Sequence, residues 1–490
     1  MKLEELVKPL ITTNALTDIP MDLDIQQVVQ DTRQVTGQTL FICIRGFNVN
    51  GHDVVQEAVE KGAVAVIASE PIQVSVPVIY VKDTVKAMAQ VGGTFYQHPS
   101  RKMKMIGVTG TNGKTTTTLL LDQIFRDHHE KTGVIGTMYR RIVDQVLETK
   151  NTTPDILTTQ KTLDEMISAG VSTCSMEVSS HALVQGRVWG LDFDVAIFTN
   201  LSQDHLEYHH TMHEYAEAKA LLFSQLGNSY DPSKPKYAVI NADDPYGRSF
   251  FEKIAAPILT YSMEQSADFK AENLQIGKRG TGFTLVFQGE EYKVQMNLVG
   301  KFNVMNALAA IAGAYAAGMP LEDILTSIEK VSGVRGRFEL VPADVDFSVI
   351  VDYAHTPDGL ENVLNAANEI KSKRVICVVG CGGDRDPSKR SVMADTSMSL
   401  ADVSIFTSDN PRTEDPDAIL DQMTGHLESG TYTRITDRRK AIQEAVQKAE
   451  TGDIVLIAGK GHEDYQIIGT TKHHFDDVEE AQAAIKAIKE

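Results

Sequence analysis

Short apolar runs that end in polar or glycine-rich loops recur along this chain and predict β-strands. In residues 1–100 they are TLFICI, AVAVIA and VPVIYV, mixed with short helical patterns. Residues 101–332 open on MIGVTGTNGKTTTTLLL, which reads as a strand, a glycine-rich turn and a helix. STCSMEV, DVAIFTN and YAVINAD follow, separated by helical stretches. That alternation predicts a parallel sheet with crossover helices. A hairpin-like patch, GFTLVFQGEEYKVQMNL, interrupts it. Residues 333–490 restart the alternation with FSVIVDYAH, RVICVVGCGGD, VSIFTSDN and DIVLIAGKGHE. The expectation is an α/β protein of three domains, 1–100, 101–332 and 333–490. The central domain would be a phosphate-loop ATPase, and the last a Rossmann-like domain with ligands beyond the carboxyl ends of its strands.

One helical pattern breaks its own rule. In MHEYAEAKALLFSQL, Met212, Tyr215, Leu222 and Leu226 form one stripe at three- and four-residue steps, and Lys219 falls on that stripe. It is either a lysine snorkelling past the core edge or one held near a metal. In the second case a carbamate, made from its amine and carbon dioxide, would turn a cation into a metal-binding anion.

The 490 residues suit about three domains. Net charge is -19, which argues against broad nucleic-acid binding but leaves room for a nucleotide. The segment MKLEELVKPLITTN has early acids and no long apolar core, so a secretory signal is not expected. No apolar run approaches the roughly 20 residues that span a bilayer, so membrane insertion is not expected either. The four cysteines are few, and Cys377 and Cys381 lack a partner pair for a metal site. A reduced, cytoplasmic, monomeric protein is expected.

The chemistry begins at the phosphate loop. Backbone amides of a glycine-rich turn and the following helix N-terminus favour phosphate. Lys114 would reach the outer phosphates, and Thr115 would place a hydroxyl on magnesium. The strict pattern wants glycine where this chain has Val108; the form here is Gly107, Gly110, Gly113, then Lys-Thr-Thr. Glu177, ending a second strand, can join Thr115 in holding magnesium or be a solvated turn acid. His205, His209, His210 and His213 raise zinc, but no regular ligand pattern supports it. In the last domain, GCGGDRD, SDNPRTEDP and GKGHED follow strands. Arg385 and Arg412 suit carboxylates, while Asp409, Asn410 and Glu463 can accept from an ammonium. Together they suggest an amino-acid-like ligand. Nucleotide and metal in one block and an amino acid in another point to carboxylate activation by ATP followed by amide formation.

TGTNGKTTT, NTTPD, MEVSSHAL, FTNLSQDHLEYH, KFNVMNALAA, GVRGRFE, VDYAHTPD, GCGGDRD, SDNPRTEDP and GKGHE resemble the Mur ligases in order and spacing, across essentially the whole chain. The resemblance is looser in the first hundred residues. It implies an N-terminal domain that holds a uridine nucleotide, with Thr32 as a contact where the family usually has serine. Gly110, Thr111, Asn112, Gly113, Lys114, Thr115 and Thr116 would bind ATP phosphates, and Asn303, Arg337 and Asp352 the rest of the nucleotide. Asn151, Thr152, Thr153, Ser179, Gln185 and Arg187 match contacts to the muramoyl-dipeptide. Thr115, Glu177 and His205 match magnesium positions. Lys219 matches the family's carbamylated lysine, and Lys114, Lys219 and His205 would carry catalysis. Arg385, Asp409, Asn410, Pro411, Arg412, Gly459 and Glu463 match the incoming amino acid's site. DNPR resembles the diaminopimelate-adding members; lysine-adding members differ at the arginine. The implied substrates are therefore UDP-N-acetylmuramoyl-L-alanyl-D-glutamate, meso-diaminopimelate and ATP with magnesium. The rivals are a lysine-adding ligase, a folylpolyglutamate synthetase-like ligase and a nucleotide-dependent scaffold. A guanine switch is disfavoured, because no Asn-Lys pair occurs in the chain.

Overall fold

The computed structural model describes residues 1–17, 19–46, 49–228, 231–277 and 280–489. Three sheets of four, eleven and six strands, with one further hairpin, carry the architecture. The first is all parallel: Gln27–Val29, Thr39–Ile42, Ala63–Ala68 and Val78–Tyr80 lie side by side in chain order. Helix Thr84–Phe95 covers it and is started by Asp83, whose carboxylate accepts from Val85 N and Lys86 N at 3.0 Å each. Ile156 and Leu157 of the next block join this core, so the first domain is seated on the second.

The central sheet is parallel through Ile258–Ser262, Tyr237–Asn241, Val195–Phe198, Lys104–Thr109, Thr173–Glu177 and Thr132–Ile135. Its middle strands are buried along both faces except at Lys104, as a sheet covered on both sides requires; Val195–Phe198 is apolar throughout, while Thr173–Glu177 buries Thr, Ser and Glu side chains as well. The predicted hairpin interrupts the strand–helix alternation and extends the sheet at its edge. Gly280–Phe287 and Glu290–Met296 pair antiparallel across the two-residue turn Gln288–Gly289 and continue the edge beyond Phe269–Gly277. Both turn residues have positive φ, +52° and +83°, the conformation that matches strand twist. Helix Lys301–Ala316 is apolar almost all round and packs beside Lys114–Asp127 in one core.

In the last domain the parallel strands run Ser348–Asp352, Ile454–Ala458, Val375–Val379, Val403–Phe406, Thr433–Arg434 across the sheet. The late strand Ile454–Ala458 is inserted between the first two, so loops distant in sequence meet at the carboxyl edge. Each domain keeps its own buried, free cysteines: Cys43 in the first, Cys174 in the second, Cys377 and Cys381 in the third. Among the described residues no helix is long and apolar enough to cross a membrane.

Candidate active site

The phosphate loop leaves strand Lys104–Thr109 and enters helix Lys114–Asp127. Gly110 has φ +151° and Gly113 φ +86°, which side chains rarely adopt. A Cβ on Gly110 would stand 1.8 Å from Thr199 Oγ1, and one on Gly113 2.3 Å from Asn306 Oδ1. Val108 is fully buried inside the strand, so the turn begins two residues later than the strict motif places it. Gly107 is a packing glycine; its missing Cβ makes room for the Phe193 ring. Residues outside the motif fix the loop. Asn200 O accepts from Thr111 N at 2.8 Å, Asn200 Oδ1 from Asn112 N at 2.9 Å, and Thr199 Oγ1 donates to Asn112 O at 2.6 Å. Sequence reading missed both, although they stand in the quoted FTNLSQDH.

Two lysines converge on one carbonyl. Lys114 Nζ donates to Gly110 O at 2.9 Å and Thr111 O at 2.7 Å, and Lys219 Nζ donates to Gly110 O at 2.7 Å. Lys219 is 1% exposed, with Nζ 4.4 Å from the Tyr215 ring centre. It does not snorkel. Burial, then the neighbouring Lys114, lowers its pKa well below that of a free lysine. Burial also lowers Lys114.

Glu177 is the hub of the next layer. Its oxygens accept from Thr115 Oγ1 (3.0 and 3.1 Å), Thr137 N (2.8 Å) and Thr137 Oγ1 (3.0 Å). Thr137, missed in the sequence, also pairs with the Thr152 hydroxyl, Oγ1 to Oγ1, at 3.0 Å. Thr115 and Glu177 thus form a buried hard-oxygen pair, the donor type magnesium takes. His205 faces elsewhere. It pairs with Asp204 (3.4 Å) and Glu207 (3.6 Å), and its ring lies edge-on to His181 at 4.8 Å. Among the described residues it makes no hydrogen bond or ion pair with Thr115, Glu177 or Lys219. His181, His205 and Glu207 offer ligand atoms within 4.8 Å of one another. His209 lies outside that group, with Nε2 bonded to Ser180 Oγ at 2.8 Å. Burial draws His205 below the usual histidine range.

Four of the expected dipeptide contacts form one network. Thr153 Oγ1 donates to Glu177 O at 2.8 Å and accepts from Ser179 N at 3.0 Å. Arg187 reaches Thr153 O at 2.9 Å and Gln185 Oε1 at 2.6 Å. Asn151 is exposed beside them, with its carbonyl accepting from Thr149 Oγ1 at 2.6 Å. Thr32 lies in the first domain, with its hydroxyl on Glu57 Oε1 at 3.1 Å.

The last domain touches the loop directly. Arg337 donates to Thr115 Oγ1 at 3.1 Å and stacks 4.6 Å from the Tyr353 ring. Asp358 Oδ2 accepts from Asn112 Nδ2 at 2.6 Å and Ser202 Oγ at 2.9 Å. Asp352 binds Phe338 N and Ala354 N, and burial lifts its pKa to about 6. Asn303 bonds Asn306, whose amide abuts Gly113, and it lines a cavity of about 470 Å³ at the seam between the two domains.

The acceptor residues come together at the carboxyl edge of the last sheet. Gly383 N donates to Asn410 O at 2.9 Å, and a Cβ on Gly383 would stand 1.9 Å from Pro411 O, so the loops are stitched tightly. Arg412, at φ +53°, donates to Gly383 O at 2.8 Å. Burial, then Arg412, lowers Arg385. Asp409 Oδ2 is buried without a partner, tight against Gly459, where a Cβ would come within 2.7 Å of it. Asn410 Nδ2 donates to Glu463 Oε2 at 2.8 Å. Burial and Asp409 raise Glu463. The hairpin Tyr465–Ile468/Thr471–His474, which the sequence reading did not separate, clasps this loop. Gln466 reaches Asp409 O at 2.7 Å, Ile467 N reaches Asn410 Oδ1 at 2.9 Å, and Arg412 N reaches Ile467 O at 3.0 Å.

A glycine cradle at a helix N-terminus, a buried hydroxyl–carboxylate pair and a pocket of opposed charges are the features a nucleotide-dependent ligase requires. The chain belongs to the Mur ligase family. Residues 24–103 match the Mur ligase family, catalytic domain; residues 108–314 the Mur ligase middle domain; and residues 336–461 the Mur ligase, glutamate ligase domain. It is 54% identical over 480 residues to a UDP-N-acetylmuramoyl-L-alanyl-D-glutamate--2,6-diaminopimelate ligase of Lactiplantibacillus plantarum, covering 98% of this chain and 96% of that one. It is 53% identical over 487 residues to the ligase of the same name from Listeria monocytogenes, covering 99% of both. A solved structure of such a ligase superposes with TM-score 0.72 at 35% identity, covering 100% of this chain and 99% of the other.

Proposed function

We propose that this chain is an ATP-dependent ligase of peptidoglycan precursor synthesis. It joins meso-diaminopimelate to the D-glutamate side-chain carboxylate of UDP-N-acetylmuramoyl-L-alanyl-D-glutamate. The observation that carries this reading is the meeting of Arg385 and Arg412 with Asp409, Asn410 and Glu463 across three loops, in a chain about half identical to ligases of that name. Diaminopimelate offers a second carboxylate that lysine lacks, and Arg412 is the group to hold it.

The reaction runs in two displacements. The γ-phosphoryl passes from ATP to a carboxylate oxygen and ADP leaves. The amine at the L-centre of diaminopimelate then attacks the carbonyl carbon, the carbon–oxygen bond to phosphate breaks, and the amine gives up a proton. Lys114 would neutralise the moving phosphoryl group. Thr115, Glu177 and His205 match the positions that would hold magnesium, although His205 bonds neither of the other two here, and the carbamate of Lys219 would help position a second ion; when bound, the ions would offset the charge on the phosphates. The carbamate reading is supported by the burial and lowered basicity of Lys219, since only a neutral amine adds carbon dioxide. Arg337, Asp352 and Asn303 would hold the nucleoside end. Thr153, Ser179, Gln185 and Arg187, with Asn151 and Thr152, would orient the dipeptide, and Thr32 the uridine nucleotide. We place the enzyme in the cytoplasm, in keeping with its four free, buried thiols, and read it as a monomer.

The deciding experiment is phosphate release from ATP, magnesium and UDP-muramoyl-dipeptide with meso-diaminopimelate or L-lysine in parallel. Release with diaminopimelate alone is expected. Release with lysine instead would keep the ligase and remove the role given to Arg412. Release that ignores both would leave a nucleotide-dependent scaffold.

A further inference from the structure

Lys460 stands between Gly459 and Gly461 and is fully buried, an uncommon place for a lysine. Its Nζ donates to Asn410 Oδ1 at 3.2 Å and Glu463 Oε2 at 3.1 Å and lies 5.5 Å from the Tyr465 ring centre. Asn410 closes the triangle by donating Nδ2 to the same Glu463 oxygen at 2.8 Å. One carboxylate oxygen is therefore occupied twice. The other, Glu463 Oε1, makes no hydrogen bond among the described residues, and neither does the nearby Asp409 Oδ2. The triangle leaves Glu463 Oε1 open and fixes where it is.

We propose that Lys460 is a positioning residue of the acceptor site, holding Glu463 anionic and turned so that its free oxygen meets the ammonium of the incoming amino acid. This rests on the ligase reading above. The charge argument has a definite sign. Burial and Asp409 both favour the protonated form of Glu463, and Lys460 opposes them. The other titratable groups around this carboxylate are Tyr353, Tyr465, Arg438 and the adjacent His462. Among the described residues, Lys460 is the cation that bonds it. Without Lys460 the carboxylate takes up a proton at higher pH and presents a hydroxyl where the ammonium needs an anion. The Asn410 amide would keep Ile467 N as its anchor, so the loop itself survives.

The test compares wild type with Lys460→Met and Lys460→Arg by steady-state kinetics across pH 6 to 9, with thermal unfolding of each. For Lys460→Met the diaminopimelate KM should rise at least about tenfold, as loss of a charged hydrogen bond implies. The KM values for ATP and the muramoyl substrate should stay within about twofold. The acid-side rise of the diaminopimelate KM should move to higher pH, and Lys460→Arg should move it back. If Lys460→Met does not fold, Lys460→Gln, which keeps a donor without the charge, carries the same expectation for the pH limb. A limb that does not move, or a uniform loss of kcat with every KM unchanged, would overturn the proposal and make Lys460 merely structural. If wild type uses L-lysine instead, the ligase assignment fails on its own, and the same comparison with L-lysine decides Lys460.

Discussion

The phosphate loop and the proposed acceptor pocket are built to different plans. The loop is contiguous and made of backbone. Its glycines are required by sterics, and its neighbours Thr199, Asn200 and Asn306 leave no room for one more carbon. The acceptor pocket is assembled from residues 380–386, 408–412 and 459–463 plus a hairpin, and it works through side-chain charge. The loop should therefore fail all at once, and the pocket by degrees.

The sharpest break is Gly110→Ala. With φ +151° and a Cβ 1.8 Å from Thr199 Oγ1, the cradle cannot close, and turnover should drop by about 10³ or more while the fold persists. Circular dichroism alongside phosphate release checks both halves. Lys219→Ala should be nearly as severe, and added bicarbonate should not rescue it. Near-normal activity there removes the carbamate from the mechanism. Arg412→Ala should be graded. The diaminopimelate kcat/KM falls by roughly 10 to 10², in keeping with about 1.5–3 kcal/mol for a charged hydrogen bond, while the ATP KM holds. Preference over lysine should shrink with it, which competition assays read directly. Smaller still is Thr199→Ala, which removes the donor to Asn112 O and should cost about 1 kcal/mol of stability, a shift of a few degrees in Tm.

The weakest contrast is with pH. Burial holds His181, His209 and His355 at about 4 and His462 at about 3, two in each of the larger domains. The unfolded chain takes up these protons near pH 6.5, the folded one only near 4. Their contribution is complete above pH 6.5 and is lost as pH falls toward 4. Asp352, lifted to about 6, runs the other way: its contribution is present below its unfolded value and lost as pH rises through 6. Four groups outweigh one, so Tm should fall from pH 6.5 to 4 in a calorimetric series. A flat profile would mean that these histidines are hydrated in solution.

The same contrast explains what the sequence could disclose. A contiguous steric motif leaves its mark in adjacent letters, so residues 105–121 were readable as strand, turn and helix. Lys219 was readable as an anomaly, because an apolar stripe sets an expectation that a lysine breaks. Lys460, Thr137 and the clasp of Gln466 and Ile467 left no such mark, since each acts through partners far away in the chain. The meeting of Thr153, Ser179, Gln185 and Arg187 entered only through resemblance. Strand Thr132–Ile135 escaped notice because Gly133 dilutes its apolar run, yet a Cβ there would strike Met166 Sδ at 2.4 Å. The hairpin patch was readable as a break in the strand–helix alternation, but its pairing onto the sheet edge was not, because that pairing is a tertiary fact.

The distribution of thiols gives each domain its own silent reporter. Burial pushes all four cysteines up to about 12, so in the folded state none offers the thiolate an alkylating reagent needs. Labelling can proceed only when the surrounding domain opens. Pulse alkylation followed by peptide mass mapping, with Cys43, Cys174 and the Cys377/Cys381 pair as three separate clocks, would rank the local stability of the three domains in one untagged, unmutated sample.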